Sequence, residues 1–163
     1  MILLHDNASY QTYFAGLQAS HIDLGLFLFG SYDLVAEKLK SQPLEGKKVL
    51  WLEFYEPFEI NDNRDNIYST KRGTLYVIGK PLNVEYANIE LEYNACEEVI
   101  RDILSKIKKD IVSGTVYANI DRYKIGRIDN SELVIGSVAY AGARLDFHYQ
   151  HSYDLTYNPA KWT

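Results

Sequence analysis

The chain has 163 residues, of which 47% are hydrophobic and 24% charged, with a net charge of −5. That is the size and composition of one globular domain with a sizeable core. The acidic balance argues against a duplex nucleic-acid binder, which needs clustered Lys and Arg on the phosphates, and against an acidic membrane surface.

The first ten residues, MILLHDNASY, lack the basic start of a secretion signal, and no apolar run approaches the roughly 20 residues that span a bilayer. A cytoplasmic, single-domain protein is expected, with residues 151–163 set apart as a candidate C-terminal extension. Asp6 or Asn7 is placed to cap a helix over about 8–19, where Tyr10, Tyr13, Phe14 and Leu17 repeat at helical spacing. Gly16 weakens that helix by about 1 kcal/mol relative to Ala. Residues 24–29 read as a largely buried strand ended by Gly30, and SYDLVAEKLKS as a second helix. Residues 49–58 read as a strand, with both faces covered in its first half, where Trp51 lies between Leu50 and Leu52, and Pro57 near its end or on an edge. NDNRDN (61–66) reads as a polar loop, and 70–79 as a third strand.

The strongest periodicity comes next. Ile89, Tyr93, Cys96, Ile100, Ile103, Ile107 and Ile111 form one stripe, acids crowd the start and lysines the end, and Gly114 suits the stop. A helix over about 85–112 would be about 40 Å long. Residues 115–128 and 132–140 read as strands, with Ala141 and Gly142 as a turn or bend. The closing stretch GARLDFHYQHSYDLTYNPAKW then alternates: Leu145, Phe147, Tyr149, His151, Tyr153, Leu155 and Tyr157 against polar neighbours. The order α-β-α-β-β-α-β-β-β gives an α+β fold. A mixed or antiparallel β-sheet packs against one long central helix, with shorter N-terminal helices and a long C-terminal strand.

Chemistry is hard to find in this pattern. His148 and His151 lie three apart, which on a strand puts them on opposite faces, so they do not chelate one ion together. NDNRDN lacks the central Gly and closing Glu of a calcium loop. No Gly-rich phosphate loop precedes a helix, and no Gly-x-Ser-x-Gly occurs. Cys96, the only cysteine, sits in the apolar stripe as a small hydrophobe, not a nucleophile. Glu53, Glu56 and Glu59 at spacing of three are split between strand faces. No catalytic residue, cofactor or metal is expected, and the chain reads as a non-enzyme.

The ribbon 145–157 would span about 43 Å if straight, against typical strands of about 5–6 residues. Two readings stay open. Either it bends near 150–152, or unravels there, over its own core, or its second half leaves the parent sheet and adds to a neighbour's edge. In the second case Tyr149, Tyr153, Leu155, Tyr157 and Trp162 are the interface residues. The 14 tyrosines and 6 phenylalanines suit either a strand-rich core or contact surfaces.

The segments FLFGSYDLVAEKLKS, VLWLEF, EYNACEEVIRDILSKIKKDI and the closing ribbon resemble small proteins from the tail-assembly clusters of tailed bacteriophages and prophages. The order of elements is similar to the tail-terminator (tail-completion, neck) proteins. The resemblance implies a non-enzymatic structural protein, a homo-oligomeric ring that contacts other phage tail or neck proteins. It would be cytoplasmic during assembly and later part of the virion, with no direct nucleic-acid or membrane contact. An acidic inhibitor or immunity-type binding protein is the rival, suggested by the net charge and the tyrosines.

Overall fold

Asp6 begins the first helix as a capping box: its carboxylate accepts from the Ser9 amide at 2.7 Å, and the Ser9 hydroxyl faces the Asp6 backbone amide in return. This computed structural model describes residues 2–4, 6–41, 44, 46–63, 66–117, 119–128, 134–135 and 138–152. In chain order the elements are β1 (Ile2–Leu3), α1 (Asn7–Ser20), β2 (Leu24–Phe29), α2 (Tyr32–Ser41), β3 (Lys48–Leu52), β4 (Glu56–Asn63) and β5 (Asn66–Gly79). They continue as α3 (Tyr86–Val112), β6 (Val116–Tyr117), β7 (Asn119–Ile128), β8 (Val134–Ile135), β9 (Val138–Ala139) and β10 (Ala141–Ser152).

The fold is α+β. The main sheet runs β2-β3-β5-β10-β7, and β4 also pairs with β5. It is mixed: β2 and β3 are parallel, joined through α2, and its other pairings are antiparallel. β1 and β6 form a separate parallel pair, and β8 and β9 a small antiparallel hairpin. Both pairs are made of two-residue strands, too short to show a period of two in the sequence.

Alternation on β10 decides the two faces of the sheet. Ala143, Leu145, Phe147 and Tyr149 point one way and are buried with Leu50, Leu52, Leu75 and Val77. α1 and α3 close this face with Tyr10, Phe14, Leu17, Cys96, Ile100, Ile103 and Ile107. The predicted helical stripe is thus the core face of α3, and Gly114, at φ +73°, follows its last turn. Among the described residues, the other face is covered over one half. There α2 lays Val35 and Leu39 on Leu28, Val49, Trp51, Ile78, Ile128 and Tyr140. Trp51 stacks on Tyr76 at 4.1 Å and donates its indole N–H to the Gly30 carbonyl at 2.8 Å. The remaining half presents Arg72, Thr74, Arg144, Asp146 and His148, in register across β5 and β10.

Several expectations change. β3 stops at Leu52, and β4, starting at Glu56, pairs along β5 from Glu56↔Arg72 to Asn63↔Asn66. Residues 61–63 and 66 therefore belong to a hairpin and not to a loop. Backbone pairing on a sheet margin tolerates polar side chains, and Pro57 sits at a register shift of this strand. Residues 132–140 hold the β8–β9 hairpin and not one strand. Ala141 and Gly142 open β10 and do not turn: Gly142 pairs with Ile78 on one side and Ile128 on the other. A Cβ on Gly142 would lie 2.5 Å from the Val77 carbonyl oxygen, so the glycine is there for close packing. β2 is less buried than expected, with only Leu24 and Leu28 enclosed, because among the described residues it pairs on one side alone.

The long ribbon has its reason here. β10 is an interior strand, flanked by the 14-residue β5 and the 10-residue β7. It stays paired with β5 through Ser152↔Tyr68, while its register against β7 shifts between His148 and Tyr149.

Candidate interaction surface

The turn from β5 into α3 holds the most exposed apolar run of the described surface. Gly79 ends β5 where a Cβ would collide with the Glu92 carboxylate, so strand and helix approach closely. Asn83 then organises the corner: its side-chain oxygen accepts from the Glu85 amide at 2.9 Å and from the Asn88 side-chain amide at 2.7 Å. Around this bend residues 82–87 all face water. Leu82 is 89% exposed, Val84 76%, Tyr86 75% and, one turn into α3, Leu91 67%. Exposed apolar residues scattered singly are ordinary; four within ten positions make a patch.

Beside this run lies a groove of about 400 Å³, lined by Tyr86, Ile89, Tyr93, Arg127, Ile128 and Gly142. One wall is a fixed polar lattice. The Arg127 guanidinium donates to both Glu90 carboxylate oxygens at 2.6 Å and stacks 3.9 Å above the Tyr93 ring. Burial, with the Glu97 carboxylate second, pushes the Tyr93 phenol up. The surface thus combines apolar knuckles, an aromatic wall and a charge already neutralised by its own chain. Exposed apolar and aromatic side chains of this kind are common at protein contacts.

The residues expected at an interface fall differently. Tyr149 belongs to the core: it is fully buried, stacked on Tyr10 with ring centroids 5.6 Å apart. Its side chain has no free face for a neighbour, which corrects that assignment; the inward direction follows from the pleat of a strand paired on both sides. Tyr153, Leu155, Tyr157 and Trp162 lie outside the described residues. His148 is half-buried, in register with Arg72 and Arg122, and the His151 side chain lies outside what is described. Among the described residues no three His, Cys, Asp or Glu side chains gather as metal ligands, and no helix is long and apolar enough to cross a membrane. Cys96 is buried, and burial first, then Glu92, raises its thiol far above the ordinary range.

The apolar corner was readable in part. Leu91 is a large apolar residue off the stripe of α3, and Leu82 and Val84 follow Pro81 outside any regular element. None of the three joins the core. No family model matches the chain, and no curated protein matches it in sequence.

Proposed function

We propose that this chain is a non-enzymatic assembly protein: a phage tail terminator or head–tail neck component that closes into a ring through protein–protein contacts. The observation that supports it best is the exposed run Leu82, Val84, Tyr86 and Leu91 beside the Tyr86–Arg127 groove. Leaving these side chains in water forgoes about 25 cal/mol for each Å² that a contact would bury. A ring uses two different surfaces per subunit, so a knuckle on one copy meets a different patch on the next. The partner in this reading is a second copy, and ring closure places other neck or tail proteins above and below.

Negative-stain electron microscopy of the purified full chain tests the reading. Closed rings of fixed subunit number with a central lumen are expected. Dispersed single subunits at every concentration, on their own and with tail tubes added, would sink it.

A further inference from the structure

On the half of the sheet that α2 leaves open among the described residues, we propose a receptor pocket for one basic side chain, an arginine or lysine, of a partner protein. The pocket is a cavity of about 140 Å³ lined by Glu53, Phe54, Glu56, Arg72, Thr74, Tyr76, Arg144 and Asp146. A water molecule occupies about 30 Å³ of liquid, so the space suits the head of one side chain and not a metabolite.

Its charges do not balance. Arg144 places its Nε 3.0 Å from one Asp146 oxygen; Thr74 donates its hydroxyl to the other at 3.0 Å, with Arg72 4.0 Å from that same oxygen. Arg72 is also directly opposite Glu56 in the β4–β5 register. Three carboxylates thus face two guanidiniums around the cavity, a formal surplus of one negative charge, with Arg144 acting on Glu53 as well as on Asp146. Lys124 stands opposite Asp146 on β7, is exposed, and does not line the cavity.

Glu53 is held in place. Its amide donates to the Thr74 carbonyl at 3.0 Å, continuing the ladder past the end of β3. Its carboxylate is half-buried and hydrogen-bonded to the Tyr76 hydroxyl. Burial raises the Glu53 carboxyl above its ordinary value, with the Tyr76 bond opposing. Burial and then Glu53 push the Tyr76 phenol up to about 12. Both shifts come first from burial; neighbouring carboxylates add to them and Arg144 opposes them.

Phe54 supplies the other half of the recognition. It is half-exposed at the rim, packed edge-on against Phe29 at 4.7 Å. A guanidinium can stack on an aromatic face while donating two parallel hydrogen bonds to a carboxylate. The pocket does not depend on ring closure, since it needs only a cationic partner.

The test uses the full chain and two small probes followed by amide NMR. N-acetyl-arginine amide is the cation, and N-acetyl-citrulline amide its neutral counterpart of nearly the same shape. Expected are saturable shifts at Thr74, Tyr76 and Asp146 with the arginine probe, at least tenfold weaker binding of citrulline, and weakening as Glu53 protonates at lower pH. Glu53→Gln keeps the shape and lowers the arginine affinity about tenfold, the scale of one charge-assisted hydrogen bond. Phe54→Ala, a change at the exposed rim, weakens it several-fold, so the inference stays testable if the Gln variant folds poorly. Equal binding of citrulline, unchanged affinity in both variants, or no saturable shift with either probe would overturn it. A monomeric protein that still binds the arginine probe would refute the ring and leave the pocket standing.

Discussion

Replacing Tyr149 with Phe separates a core residue from an interface anchor. The ring is fully buried, stacked on Tyr10, edge-on to Tyr55 at 6.4 Å and 6.0 Å from Phe147. Its hydroxyl, like that of Tyr10, has no hydrogen-bond partner among the described residues. Burial of that hydroxyl pushes the phenol well above its ordinary range. An unpaired buried hydroxyl costs about 1–3 kcal/mol. Tyr149→Phe removes the hydroxyl and keeps the ring, so a stabilisation of about 1 kcal/mol is expected, or about 2–4 °C in Tm for a chain of this size. Tyr149→Ala removes the ring as well and is expected to cost about 3–5 kcal/mol, a large share of the about 5–15 kcal/mol available to a domain. Urea and thermal unfolding followed by circular dichroism read both variants, with light scattering on the same samples. A Phe variant weakened by more than 1 kcal/mol would mean that the hydroxyl holds a buried partner. An Ala variant of unchanged stability but lost assembly would mean that Tyr149 reaches a neighbour, and the reasoning would fail.

Three further outcomes follow from the same geometry. Gly16 lies exposed in the middle of α1 with nothing within 4 Å of where a Cβ would sit, so Gly16→Ala should stabilise by about 0.5–1 kcal/mol in urea melts; a loss would show that the site is not open. Glu53 carries a carboxyl raised from 4.5, so between its unfolded and folded pKa values the folded state holds more protons. Its contribution to stability is therefore fully present below the unfolded value and is lost as pH rises through the folded one. Glu53→Gln should gain on the wild type from pH 4 to 7 in parallel melts, and a pH-independent difference would contradict the placement. Cys96, buried with its thiol pushed far up, should resist a thiol reagent at neutral pH in the native protein and react on unfolding; rapid native labelling would contradict its burial.

Much of the fold was legible where one period ran long enough. The stripe from Ile89 to Ile111 located α3 to within a residue at its start, and the run at 24–29 located β2. The ribbon announced a strand, but not that it is paired on both sides: alternation reports which side chains share a face, and says nothing of how many neighbours a strand has. Tyr149 was misassigned for that reason. Glu53 and Glu56 were separated by treating 49–58 as one strand, on which a spacing of three divides the faces. The chain leaves strand geometry at 53–55, and both residues line one cavity. Which part of the second face α2 covers depends on where that helix lands, which no local pattern encodes.

The central claim is that this chain works by contact through the β5–α3 corner. Light scattering across a concentration series, on the full chain and on the double variant Leu82→Asp, Val84→Asp, tests it most directly. Both positions are more than three-quarters exposed, so the variant should fold as the wild type does. A discrete oligomer for the wild type and a folded monomer for the variant are predicted. A wild type that stays monomeric throughout, or an oligomer that the two aspartates leave intact, would contradict it.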